Sequence, residues 1–185
     1  MATLAEKSFP VALLLFGTLI LCISLLSANS SSAGDRTRLM ARKVYFSSTI
    51  LPDNVIYPVL MVGDRVKLMT AGDEAKILLK VEFAERRYGY ALQLLEKDQP
   101  MLALATLTKS QKYLFAAGNE VLVDPKQLQP ETIKVVQDAF ALSVQNLANF
   151  KQKYPNSDTQ TIDDLNRDTV IIYQKLSTLD SQIIK

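Results

Sequence analysis

The sequence predicts an all-α protein: one N-terminal transmembrane helix, then a soluble bundle of four to five helices arranged as two antiparallel hairpins. Three observations carry this reading. Residues 9–28 read FPVALLLFGTLILCISLLSA, without a single charge. Downstream, apolar residues recur at helical steps of three and four, and no stretch alternates as a half-buried strand would. Short clusters rich in Pro, Gly, Asn and Asp interrupt that pattern where helices should turn back.

The chain divides into a short tail (1–8), an apolar span (9–28), a juxtamembrane spacer (29–50) and a helical domain (51–185). About 20 apolar residues at 1.5 Å per residue cross the roughly 30 Å hydrocarbon layer of a bilayer. Charges stop at Lys7 and resume at Asp35. A secretory signal has the same polarity, and Ser31 and Ala33 would suit a signal peptidase. Its apolar core typically runs about 7–15 residues, however, so the longer run here favours an uncleaved signal anchor; cleavage would make the domain secreted. Cys22 is the sole cysteine. It excludes an intramolecular disulfide, and the bulky Leu21 before it argues against lipoprotein processing.

The spacer opens with the flexible run Asn29-Ser-Ser-Ser-Ala-Gly34. Its basic residues, Arg36, Arg38, Arg42 and Lys43, are placed to contact lipid headgroups. One lysine precedes the span and four basic residues follow it closely. By the positive-inside rule that count alone puts the following domain in the cytoplasm. The very short N-terminal tail favours the opposite, signal-anchor orientation.

In the helical domain, Leu51-Pro52-Asp53-Asn54 reads as a turn. A first helix starts near Tyr57-Pro58, with proline suited to its first turn, and ends near Gly72. Val59, Val62, Val66 and Met69 share one face of it. Asp73 is placed to N-cap a second helix running to about Lys97, with Ile77, Val81, Ala84, Tyr88, Ala91 and Leu95 in a stripe. Asp98-Gln99-Pro100 turns into a third, which presents Leu104, Leu107, Leu114 and Phe115 and should stop near Gly118-Asn119. After a connector over 122–129, a fourth helix begins at Pro130-Glu131 with Ile133, Val136, Phe140, Val144, Leu147 and Phe150. Tyr154-Pro155-Asn156 ends it. A fifth begins near Ser157-Asp158 with Ile162, Leu165, Ile172, Leu176, Leu179 and Ile183, Thr169 filling the one gap.

Composition excludes more than it assigns. The 185 residues carry 21 Lys+Arg against 19 Asp+Glu, a net charge of +2, which gives no footprint for nucleic acid. Histidine is absent, and with it the commonest general base and metal ligand. No calcium loop, phosphate-binding glycine loop or nucleophile elbow occurs. The adjacent Asp163-Asp164 pair complements a helix N-terminus. No residue is therefore assigned to catalysis, to a cofactor or to a metal, and the chain reads as a non-enzyme. Glu85-Arg86-Arg87 is either a solvated patch or a place where one arginine ties the second helix to the Tyr57-Pro58 turn. Gly89, costly within a helix, would mark a close helix–helix approach. The stretch from Tyr88 to Ala105 resembles one tetratricopeptide unit, but an array needs at least three.

Leu51-Pro52-Asp53, Tyr57-Pro58, Glu74-Ala75-Lys76 and Phe83-Ala84-Glu85-Arg86-Arg87 together resemble the pattern of an uncharacterised bacterial family, domain of unknown function 5667. The likeness covers roughly Ile50 to Gly118, with Phe83 where the family more often has leucine, and Val59-Leu60 after Tyr57-Pro58 where a lysine is frequent. The resemblance implies a helical domain just outside a single membrane span, and no established activity. With the residues above, it leads to the expectation of a membrane-tethered, non-enzymatic interaction or assembly module of the bacterial cell envelope, extracytoplasmic, with membrane lipid and an envelope protein as partners. The alternative is a sensory or regulatory membrane protein of anti-sigma-like kind.

Overall fold

Proline stands in the first turn of three of the five helices in the computed structural model, where its missing N–H is no loss. The structure describes residues 50–155 and 159–183, with side chains through Leu179. The apolar segment 9–28, its flanks 1–8 and 29–49, and the basic cluster Arg36, Arg38, Arg42 and Lys43 lie outside the described residues. Among the described residues no helix is long and apolar enough to cross a membrane, and there is no strand.

The helices are α1 (Tyr57–Thr70), α2 (Asp73–Glu96), α3 (Pro100–Val123), α4 (Pro130–Lys153) and α5 (Gln160–Ile183), with a 3₁₀ turn at Pro125–Gln127 before α4. Each of α2 to α5 has 24 residues, about 36 Å of helix. They form the two expected antiparallel hairpins, α2–α3 and α4–α5. In the bundle α2 borders α3 and α4, and α5 borders the same two helices.

The core has two halves. Ile77, Val81, Leu114, Val121, Ile133, Val136, Phe140 and Leu176 fill one. Ala91, Leu94, Leu107, Leu147, Phe150, Ile162 and Leu165 fill the other. Successive helices enter the halves in alternate order, as an up-down-up-down bundle requires. Between the halves lies a buried polar layer. Gln111 Oε1 accepts from the Ser143 hydroxyl at 3.0 Å. The Thr169 hydroxyl donates to Leu165 O at 2.7 Å and stands 3.3 Å from the same Gln111 oxygen. One glutamine on α3 thus ties α4 and α5 at a single height, and the gap in the α5 stripe is a satisfied polar position. Glu74 of α2 works across the bundle in the same way: its Oε1 accepts from Gln129 N at 3.2 Å and from the Thr132 hydroxyl at 2.5 Å, at the start of α4.

Three expectations are corrected. First, α3 runs through Gly118-Asn119 to Val123. A Cβ on Gly118 would lie 2.7 Å from the Phe140 ring and 3.0 Å from Ile172. This glycine is therefore a point of close helix approach, not a stop. Second, Gly89 has open space where a Cβ would sit, so it marks no close approach. Third, Gly72, not Asp73, occupies the N-cap of α2, and the Asp73 carboxylate pairs with Lys76 at 3.1 Å. The face of α1 that carries Val59, Val62, Val66 and Met69 is exposed.

The turn between α2 and α3 has a definite closure. Gln99 N donates to Leu94 O at 2.9 Å and Asp98 N to Leu95 O at 3.0 Å. This is the Schellman arrangement, with Asp98 held at a φ of 57°.

Candidate functional site

The residues of the sequence motif converge where α1 lies against α2. Leu51, Tyr57 and Tyr90 form a small buried cluster, with Ile50 and Met61 packed on it. The Tyr57 and Tyr90 rings meet edge to face, 6.2 Å apart. Around it the turn is closed by its own backbone: Asn54 N donates to Leu51 O at 2.9 Å and Tyr57 N to Asn54 O at 3.0 Å. The Asn54 side chain accepts from Ile56 N at 3.0 Å, the usual service of asparagine in a turn. Asp53 is paired to Lys97 at the far end of α2, at 2.9 Å. That lysine holds the Asp53 carboxyl below the ordinary carboxylate value.

The charged centre joins Asp64 of α1 to Arg86 and Arg87 of α2. Arg86 Nη2 bonds Asp64 Oδ2, and Arg87 Nη2 reaches the same oxygen at 3.3 Å. Asp64 is 4% exposed and Arg87 2%. A buried charge persists only when paired and bonded, and Arg87 meets that demand on several sides. Its Nη1 donates to Phe83 O at 3.2 Å, its Nη2 also touches Met61 Sδ at 3.0 Å, and its Cζ lies 4.3 Å from the centre of the Tyr113 ring on α3. Arg86 lies 4.9 Å over Phe83. Burial pushes the Tyr57 phenol up, despite the nearby arginines.

The reading of Glu85-Arg86-Arg87 as a solvated patch is thereby overturned. Both arginines tie α2 to α1, and the acceptor is Asp64, two turns beyond Tyr57, rather than the Tyr57-Pro58 turn itself. Glu85 is exposed, and Pro58 is exposed in the first turn of α1. Pro52 is half-buried. Ala84 belongs to the bundle core instead, and its carbonyl accepts the Ser110 hydroxyl at 2.6 Å. The sequence reading missed Asp64, Met61, Tyr90, Lys97 and Tyr113. A signal for Asp64 was present: Tyr57, Met61 and Asp64 follow at steps of four and three, one face of a helix.

That face is the buried one. The opposite face carries Val59, Val62, Val66 and Met69, exposed by 68%, 64%, 42% and 76%. Val55 and Ile56, just before the helix, are exposed too. At about 100° per residue, Arg65 flanks this stripe on one side and Lys67 on the other, both exposed. The outer face of α1 therefore presents an apolar strip edged with positive charge, while the only acid of that helix is paired with the two arginines beneath.

Elsewhere a shallow cleft between α2, α3 and α4, bordered by Glu85, Tyr88, Ser110 and Asn146, has about 20 Å³, room for one water molecule. The half-buried Tyr88 donates its hydroxyl to Asn146 O at 3.1 Å. Among the described residues no group of three or more His, Cys, Asp or Glu could hold a metal ion.

Residues 49–168 match the family described as Domain of unknown function (DUF5667). The chain belongs to this family. The match extends well past the motif region, through α4 and into α5. No curated protein and no solved structure matches the chain.

Proposed function

We propose that this protein is a membrane-tethered, non-enzymatic interaction or assembly module of the bacterial cell envelope, with its helical domain on the extracytoplasmic side. The observation that carries the reading is the outer face of α1. An apolar strip of this kind on a folded domain marks a contact surface, and here it is held in place by a buried ion pair that leaves it facing outward. The uncharged segment 9–28 supports the tether, being long enough to span a bilayer.

The chain should stay with membranes through alkaline carbonate washing, and protease added to intact spheroplasts should digest the helical domain. Release of a fragment beginning near Gly34 would show signal cleavage and a secreted domain. The four basic residues after the apolar segment favour a second reading, a regulatory protein with the domain in the cytoplasm. Protection from protease until lysis would establish that topology.

A further inference from the structure

We propose that the outer face of α1 docks on an anionic lipid surface, lying flat at the headgroup level. The inference rests on the tethered reading above and names the occupant of its contact surface. A helix suits the interfacial plane when one face is apolar, its borders are basic and its acids are turned away. Val59, Val62, Val66 and Met69 supply the apolar face. Arg65 and Lys67 stand at its two borders, where long side chains can reach up to phosphate while their stems cover apolar surface. Asp64, the only acid of the helix, is buried on the opposite side against Arg86 and Arg87. The exposed surface of α1 therefore carries apolar and cationic side chains and no acid.

Chain length adds the second argument. Between the end of the apolar segment at Ala28 and the start of α1 at Tyr57 lie 28 residues. At no more than about 3.5 Å per residue, that stretch cannot carry α1 further than roughly 100 Å from the end of the apolar segment, so a tethered α1 meets the bilayer at high local concentration. The same connection carries Arg36, Arg38, Arg42 and Lys43, of the sign that an anionic surface attracts. A second copy of the chain fits less well. A helix of 14 residues is about 21 Å long, and two such strips would bury on the order of 400 Å², well under the roughly 1,200 Å² of a stable pair. A two-fold pairing would also set the bordering cations of the two copies against one another.

The test places a nitroxide on Val62→Cys in a Cys22→Ser background, using the full chain in vesicles of phosphatidylcholine alone or mixed equally with phosphatidylglycerol. A label at Lys112→Cys on α3 serves as the solvent control. In the mixed vesicles the Val62 label should collide with oxygen and be shielded from a soluble nickel chelate, while the Lys112 label stays open to nickel. In phosphatidylcholine alone, or at high salt, the Val62 label should return to nickel. Arg65→Gln and Lys67→Gln should each lower the docked fraction's equilibrium constant about fivefold, the effect of one basic residue at an anionic surface. Equal nickel access in both vesicles overturns the proposal. So does shielding from both reagents with spin–spin broadening, which would mean a second copy. Loss of the chain to carbonate would instead overturn the tether, and the same label with added anionic vesicles would then decide docking on its own.

Discussion

The bundle and α1 use the same sequence device and opposite physics. Helices α2 to α5 carry apolar stripes that vanish into a shared core; Phe140, at the centre of one, is fully buried and stacked near Phe115 at 6.4 Å. The α1 stripe has the same spacing, yet it faces outward. Its opposite face is attached by an ion pair and two tyrosines. Periodicity tells that a helix has an apolar side, but not what covers that side. A polar residue on the other face, such as Asp64, can outweigh four apolar ones when the buried Arg87 and the half-buried Arg86 await it.

The sharpest way to break this comparison is to cut into each region. Phe140→Ala should destabilise the whole domain by about 3–5 kcal/mol, read from urea unfolding by circular dichroism, because the surrounding helices cannot close the cavity. A loss below about 1 kcal/mol would mean that α4 is not core. Asp64→Asn leaves the buried Arg87 without its anion, a defect worth up to about 3 kcal/mol. The effect should be local: α1 can lift off and let the arginines hydrate. Amide exchange should accelerate throughout α1 while α4 and α5 keep their protection. Equal acceleration everywhere would make α1 an integral part of the bundle.

The two glycines refine the contrast inside the core. Gly118→Ala should destabilise by about 1–2 kcal/mol, since its methyl group would press on the Phe140 ring. Gly89→Ala should stabilise by about 1 kcal/mol, because alanine is the better helix former and the space is open. Thermal midpoints moving in the same direction for both variants would contradict the helix packing.

Proton linkage should be the smallest effect. Lys97 and Lys151 hold the Asp53 and Asp163 carboxyls below the ordinary value of 3.8. Stability from these pairs is present above that value and lost as pH falls through the lower, folded-state values. Burial raises the Tyr57 and Tyr88 phenols above 10.0, so their contribution is present below that pH and declines as pH rises past it. All four shifts point away from the pH 5–8 window, and with no histidine in the chain the unfolding midpoint should be nearly flat across it. A step centred near pH 6.5 would refute this.

By itself the sequence determined the class and most of the framework. Period, proline and turn chemistry are local, so the five helices, the two hairpins and the helix starts at Tyr57, Pro100 and Pro130 could all be read from neighbours in the chain. So could the family motif and the exclusion of histidine chemistry. The tertiary structure decided whatever depends on distant partners. Gly118-Asn119 looks like a stop because glycine often ends helices; only the Phe140 ring, 22 residues away, shows that it is a contact. Arg86 and Arg87 look like surface charge until Asp64 arrives from another helix to pair with both. The face of α1 could be assigned outward only once the inward face was known. Local preference sets what an element is; which side of it meets water is settled by the burial of charges and rings contributed from elsewhere in the fold.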